Sequence, residues 1–210
     1  MIAGIDEVGI GCIAGPMVMS AVIVDDKVVF PENVRDSKSL SQKQVDELFC
    51  PITELANKCI VKIAYPSFIN TEGGIWAAWS HVIDELIEEC DGMSLIIVDG
   101  VRVTNSRKDV LYEPRADQKY KVVSAASIIS KKYQVDYMLE ADKRYPSYGF
   151  ASHKGYATEK HRNAVRIHGP SPVHRLNNGP VQRAAKFSEK RTERFCRKPT
   201  CKTIIFEKSK

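Results

Sequence analysis

Apolar positions along this chain fall in two rhythms, and the first is short. "MIAGIDE" and "PMVMSAVIV" are brief, apolar and rich in β-branched residues, which predicts two strands; Gly9, Gly11, Gly15 and Pro16 punctuate the gap as in a hairpin. The polar stretch "DSKSLSQKQ" then offers Ser39 or Ser41 as N-cap to a helix that is interrupted or restarted at Pro51, and "KCIVKIAY" supplies another strand. Beyond Gly74 the period lengthens. In "IWAAWSHVIDELIEEC", Ile75, Ala78, Trp79, Val82, Ile83, Leu86 and Ile87 share one side of a core-facing helix, in which neither tryptophan needs a functional role. "SLIIVDG" reads as a strand buried on both faces that emerges at Asp99. In "KYKVVSAASIISKKYQVDYMLEADKRYP", Val122, Ala126, Ile129, Tyr133 and Tyr137 recur at steps of three and four, so a long helix stops before Pro146. Its early small residues, Ser124, Ala125, Ala126 and Ser127, suit close approach to another backbone.

Strands first, then strands alternating with helices, predict an α/β architecture built on a mixed sheet. The chain has 210 residues, 43% of them hydrophobic, which is enough for one sizeable core. No apolar run reaches the ~18 residues that span a bilayer, and the start lacks the marks of a secretory signal, so the expectation is a cytoplasmic protein with no membrane partner. Six unrhythmically spaced cysteines fit packed or free thiols; Cys196 and Cys201 lack the neighbouring ligands of a zinc site. The net charge of +5 is unevenly divided: residues 183–210 hold ten Lys/Arg against three Asp/Glu, a net of +7, leaving residues 1–182 at −2. This separates a domain over 1–182 from a short basic C-terminal tail over 183–210, a segment suited to a polyanion or to solvation alone.

Acids stand where such a fold places ligands. In "GIDEVGIGCIAGP", Asp6 and Glu7 sit where an apolar strand meets a glycine loop, Asp99 ends another strand and Asp117 precedes the long helix. Singly, each has a structural explanation, since Asp99 before Gly100 also makes a turn and Asp117 also starts a helix. If the two strands are neighbours, the four acids converge. Converging carboxylates repel unless they hold cations, and all-oxygen ligation suits Mg²⁺ or Mn²⁺. Metal-dependent phosphoryl chemistry is the leading expectation.

The blocks "GIDEVGIGCIAGP", "DSKSLS", "VDG", "ADQKYKVVSAASIISK", "YPSYGFASHKGYATEKH" and "GPSPVHRL" occur in the order seen in type 2 ribonucleases H. From about Ile2 to Val181 the chain resembles a ribonuclease HII. The resemblance implies a ribonuclease H-like fold and a catalytic, metal-binding set of Asp6, Glu7, Asp99 and Asp117. It implies hydrolysis of the RNA strand of RNA–DNA hybrids, including cuts 5′ to a ribonucleotide embedded in duplex DNA, with two divalent ions serving the reaction and 3′-hydroxyl and 5′-phosphate ends as products. It also implies substrate contacts from Gly9, Ile10 and Gly11 to the 2′-hydroxyl, from Tyr156 to the sugar at the RNA-to-DNA junction, and from Lys38 and Lys119 near the phosphates. A monomer is expected.

Two positions depart from the family pattern. A cationic residue usually stands between the loop glycines, where this chain has Ile10. In the long helix the family reads Lys-x-x-Arg-Asp, whereas "KKYQVDYM" places Gln134 and Val135 at the last two positions, which removes a local ion pair. The related ribonuclease HIII also begins "DEVG", but carries an extra N-terminal domain for which there is no room before Ile2, and "HKGYATEKH" favours HII. A hybrid-binding module with weakened catalysis and a resolvase-like nuclease on the same fold are the competing readings.

Overall fold

Alternation along the first strand sets the layout. The computed structural model describes residues 1–35, 37–100, 107–186 and 201–207. Among them, β1 (Ile2–Val8) and β2 (Met17–Val24) pair antiparallel as the expected hairpin, and β3 (Lys58–Ala64) adds antiparallel to β2. On the other side of β1, β4 (Leu95–Asp99) and then β5 (Val110–Glu113) join in parallel, and β6 (Cys201–Glu207) pairs antiparallel with β3 at the far edge. The mixed sheet therefore runs β5-β4-β1-β2-β3-β6.

Helices cover both faces. α1 (Gln42–Leu55) lies with the long α5 (Lys121–Arg144) over one apolar cluster, while α2 (Pro66–Thr71) and α3 (Ile75–Glu89) cover the other. The single turn α4 (Ala116–Lys119) precedes α5; α6 (Phe150–His153), α7 (Glu159–His168) and α8 (Gly179–Ala185) follow it. Ser41 caps α1 in a reciprocal capping box with Gln44, and the helix runs through Pro51 instead of stopping there. Burial of Val45, Leu48 and Ile52 against α5 holds the turn that the proline weakens. The small residues of α5 do allow a backbone approach: a Cβ on Gly4 of β1 would lie 2.5 Å from the Val122 carbonyl carbon.

The position of the boundary expected at residue 182 falls within α8. Arg183 lies inside α8, and Cys201–Glu207, counted with the tail, is an edge strand whose Ile204 and Phe206 pack on the α1–α5 cluster. Residues 187–200, which include Cys196, and 208–210 lie outside the described residues. Among the described residues, no helix is long and apolar enough to cross a membrane.

Candidate active site

Ile5 of β1 sits level with Val98 of β4, so Asp6 and Asp99 leave adjacent parallel strands at the same height. Side chains alternate along a strand. Gly4 and Asp6 face α5, and so does Asp99, two residues after the inward-facing Ile97. Asp117 arrives on the same face from α4, which follows Arg115 in a left-handed conformation (φ 61°). Carboxylate oxygens of Asp6, Asp99 and Asp117 all lie within 4.8 Å of one another. Glu7, next along β1, points to the opposite face, where its Oε2 accepts a hydrogen bond from Trp79 Nε1 at 3.4 Å. Three acids thus form a tight group with the fourth beside it, and Trp79 acquires a role at the site that helical periodicity concealed.

The electrostatics follow from burial. Desolvation, then the charges of Glu7 and Asp99, push the Asp6 carboxyl well above its ordinary range; the Ser127 hydroxyl and the Glu7 amide oppose this only partly. Desolvation also lifts Glu7 to about 7, with Asp99 adding to the effect and Trp79 and Lys38 opposing it. Asp6 Oδ1 accepts from the Glu7 amide at 2.7 Å, but its Oδ2 is buried with no hydrogen-bond partner among the described residues. An orphaned carboxylate oxygen inside a group of three acids is a fit for a divalent cation, which supplies the missing charge and ligation together.

Serines of α5 tie the pieces of the site together. Ser124 Oγ donates to the Asp117 carbonyl at 2.6 Å, Ser127 Oγ meets Ser37 Oγ at 2.8 Å, and Ser130 Oγ donates to the Asp6 carbonyl at 3.1 Å. Their spacing of three places them along one helical face, a signal the sequence carried and packing alone does not exhaust. Asp99 Oδ1 accepts from the Ala116 amide at 2.7 Å, which fixes α4 to the end of β4. Lys38 Nζ stands 3.5 Å from Asp117 Oδ2.

A cavity of about 380 Å³ opens beside the acids, lined by Glu7, Gly9, Ile10, Gly11, Lys38 and Tyr156 among others. The exposed Tyr156 ring stands over Gly11, 3.7 Å from where a Cβ there would lie, and Tyr156 forms a β-bridge with Cys12. Ile10 is half-buried against the α3-side apolar cluster. Lys119 is not part of this cavity: its ammonium pairs with Glu113, on the other side of Asp117. Gln134 takes up the anchoring its helix was expected to lose, donating to the Lys154 carbonyl at 2.8 Å. Beneath Tyr156, His161 and His174 are hydrogen-bonded in a chain with Ser171, His153 stacks on His161, and Arg175 is buried under the glycine loop.

A mixed sheet with carboxylates gathered at the ends of its central parallel strands defines a ribonuclease H-like nuclease dependent on divalent metal. Among solved structures, the ribonuclease H2 from Pyrococcus horikoshii OT3 superposes with a TM-score of 0.70 at 22% identity, covering 88% of this chain and 97% of that one. Bst-RNase HIII, in a complex with Mn²⁺, superposes with a TM-score of 0.68 at 20% identity over 90% of this chain and 70% of its own. The family model for ribonuclease HII matches residues 3–179. The ribonuclease HII of Thermotoga petrophila is 36% identical over 184 residues, which are 86% of this chain and 74% of the relative. The chain belongs to the ribonuclease HII family: it is an endoribonuclease acting on the RNA strand of RNA–DNA hybrids.

Proposed function

We propose that Asp6, Glu7, Asp99 and Asp117 hold Mg²⁺ or Mn²⁺, two ions in the catalytic state, and that the adjoining cavity receives the ribonucleotide whose 5′ phosphate is cut from the preceding 3′ oxygen. The unpartnered Oδ2 of Asp6, inside the three-acid group, carries this reading. When bound, the ions activate water and stabilise the leaving 3′ oxygen, so no nucleophilic side chain is needed. The chain's own contribution is positioning. Alternation on β1 supplies Asp6 on one face and Glu7 on the other, so that carboxylates reach the site from both sides of the strand. Glu7, lifted by burial and steadied by Trp79, has a proton to release on the approach of a cation. Lys38 is exposed and takes a backbone phosphate, while Lys119 joins it only by leaving Glu113.

Gly9, Ile10 and Gly11 present backbone to the 2′-hydroxyl, with Tyr156 covering the sugar, so that cleavage extends to positions 5′ of a ribonucleotide embedded in DNA. Basic residues beyond Gln182 add sequence-independent phosphate contacts. The protein works as a cytoplasmic monomer. A labelled duplex with one ribonucleotide, a continuous hybrid and an all-DNA branched substrate test the reading together. Cuts 5′ to the ribonucleotide with 3′-hydroxyl ends, and an intact branched substrate, are expected. Cleavage of the branched DNA would replace this reading with a resolvase-like one.

A further inference from the structure

Among the described residues, Arg175 is a buried cation that no acid compensates. Its residue is 2% exposed, and no carboxylate pairs with it among the described residues. Desolvation lowers its guanidinium to about 10, which leaves it charged at neutral pH. A buried charge without a counter-ion costs several kcal/mol, so its retention asks for a reason. The contacts supply one. Nε donates to the Gly15 carbonyl at 2.9 Å and Nη1 to the Ile10 carbonyl at 3.1 Å, while the Arg175 amide donates to the Ile13 carbonyl at 2.9 Å. The side chain and backbone of one residue thus grip both ends and the middle of the glycine loop. Nη2 is buried with no hydrogen-bond partner among the described residues, 3.5 Å from where a Cβ on Gly9 would lie.

The grip on Ile10 determines where the next amide points. In a trans peptide the C=O of one residue and the N–H of the next are antiparallel in one plane, and the described chain contains no cis peptide. With the Ile10 carbonyl drawn inward to the guanidinium, the Gly11 N–H faces the other way, on the side of the cavity that Gly11 and Tyr156 line. That N–H finds no acceptor among the described residues. The side chain at position 10 carries no charge toward the substrate, but a charge stands directly behind its carbonyl and polarises the same peptide.

The geometry points to Arg175 as the positioning residue that aims and polarises the Gly11 amide at the ribose 2′-hydroxyl, supplying from beneath the loop the charge that Ile10 does not supply from above. This rests on the proposed reading of the loop. An arginine holding two carbonyls does what a lysine cannot do, since only the guanidinium presents a rigid fork.

The test is steady-state kinetics of the full chain, with saturating Mg²⁺, on a duplex carrying one ribonucleotide and on a continuous RNA–DNA hybrid. Arg175→Lys keeps the charge and loses the two-point grip; Arg175→Met loses both. The expected result is a fall in kcat/KM on the single-ribonucleotide duplex of about tenfold for Lys and up to about a hundredfold for Met, the range of one charged hydrogen bond. The hybrid, with several 2′-hydroxyls to offer, changes by about threefold or less. Melting temperatures identify a variant that fails to fold. In that case Arg175→Lys and the ¹H–¹⁵N chemical shift of the Gly11 amide, which must move when the grip is altered, decide the matter. Equal losses on both substrates, or an unmoved Gly11 resonance, would overturn the proposal. If the unaltered protein does not cut at the single ribonucleotide, the reading of the loop falls first and this assignment with it. If it does cut there and the variants keep its substrate ratio, only the role of Arg175 is lost.

Discussion

The acids and the histidines near the glycine loop are two clusters of titratable groups, the first partly and the second fully buried, and they are completed in opposite ways. Burial raises the Asp6 and Glu7 carboxyls and lowers the His153, His161 and His174 rings, so each set is driven toward its neutral form. In the histidine cluster, neutrality is all that is required. Ser171 donates to His174 Nδ1 from its amide at 2.9 Å and meets it with its hydroxyl at 2.8 Å. His161 Nδ1 donates to the Tyr156 carbonyl at 2.9 Å, so the 3.0 Å contact between the two Nε2 atoms runs from His174 to His161. One neutral tautomer of each ring satisfies every nitrogen in the chain. The acids have no such closure, because Asp6 Oδ2 is left unpaired. Perturbed ionisation by itself does not distinguish a working site from a framework; the unfilled valence does.

The comparison breaks most sharply at Asp99. Asp99→Asn keeps the side-chain volume and removes a charge from the acidic group. Cleavage of an RNA–DNA hybrid is expected to fall by about a thousandfold or more, comparable to losing a principal charge-stabilising group, with the fold intact by circular dichroism. Substantial activity in saturating Mg²⁺ and Mn²⁺ would remove Asp99 from the site.

The histidines are expected to affect stability instead of chemistry. His161 is held at about 4 and His174 at about 3, whereas both return to about 6.5 in the unfolded chain. Between these values the unfolded state binds more protons than the native one, so stability rises with pH and levels off above about 6.5. From pH 8 to pH 5 the two rings together cost on the order of 4 kcal/mol. Urea titrations in saturating Mg²⁺, where bound ions hold the acids ionised, isolate this slope. A stability independent of pH over that interval would show that the network tolerates protonation.

The acid half of this contrast was legible in the sequence, whereas the histidine half was not, and the gaps have physical causes. Asp6, Asp99 and Asp117 were readable as acids at strand and helix ends, and the sheet and long helix followed from periodicity. Glu7 stands beside them on the other face of β1, since consecutive strand residues alternate sides, a detail that adjacency in sequence does not resolve. The Ser124, Ser127 and Ser130 contacts were masked by small size, which explains close packing equally well. Strand β6 lies more than a hundred residues from its partner β3 and is embedded in a charged segment, so no local rule pairs them. Arg175 carries no local signal at all: its surroundings are made by the glycine loop, distant in sequence and in contact only after folding.

Asp6→Asn sharpens the contrast through a smaller effect. A carboxyl raised in the folded state destabilises that state as pH climbs through the interval between its unfolded and folded values, and the penalty persists above it. In metal-free protein at pH 8, Asp6→Asn is expected to raise the melting temperature by a few degrees, on the order of 1–2 kcal/mol, with the gain vanishing toward pH 4. Added Mg²⁺ is expected to stabilise the unaltered protein and leave the variant unmoved. Stabilisation of both alike by Mg²⁺ would place the ion elsewhere.

The smallest expected effect lies at Ile10, between the two clusters. Its side chain packs among residues of the α3 cluster, on the face where Glu7 meets Trp79, while its carbonyl is held by Arg175. An arginine at position 10 would give up part of that apolar contact, about 1 kcal/mol of stability for a half-buried side chain, and extend a guanidinium toward the substrate backbone. A well-placed charged hydrogen bond is worth roughly 1.5–3 kcal/mol, but an exposed and flexible side chain realises only part of it. Ile10→Arg is therefore expected to raise kcat/KM on a duplex with one ribonucleotide by about threefold to tenfold, with about a twofold change or less on a continuous hybrid, where several 2′-hydroxyls already secure recognition. The gain should shrink between 50 and 200 mM salt, as an added phosphate contact requires. If the unaltered protein already prefers the single ribonucleotide and the substitution changes nothing, the Gly11 amide and Tyr156 suffice, and the cation that relatives place at this position adds affinity without selectivity.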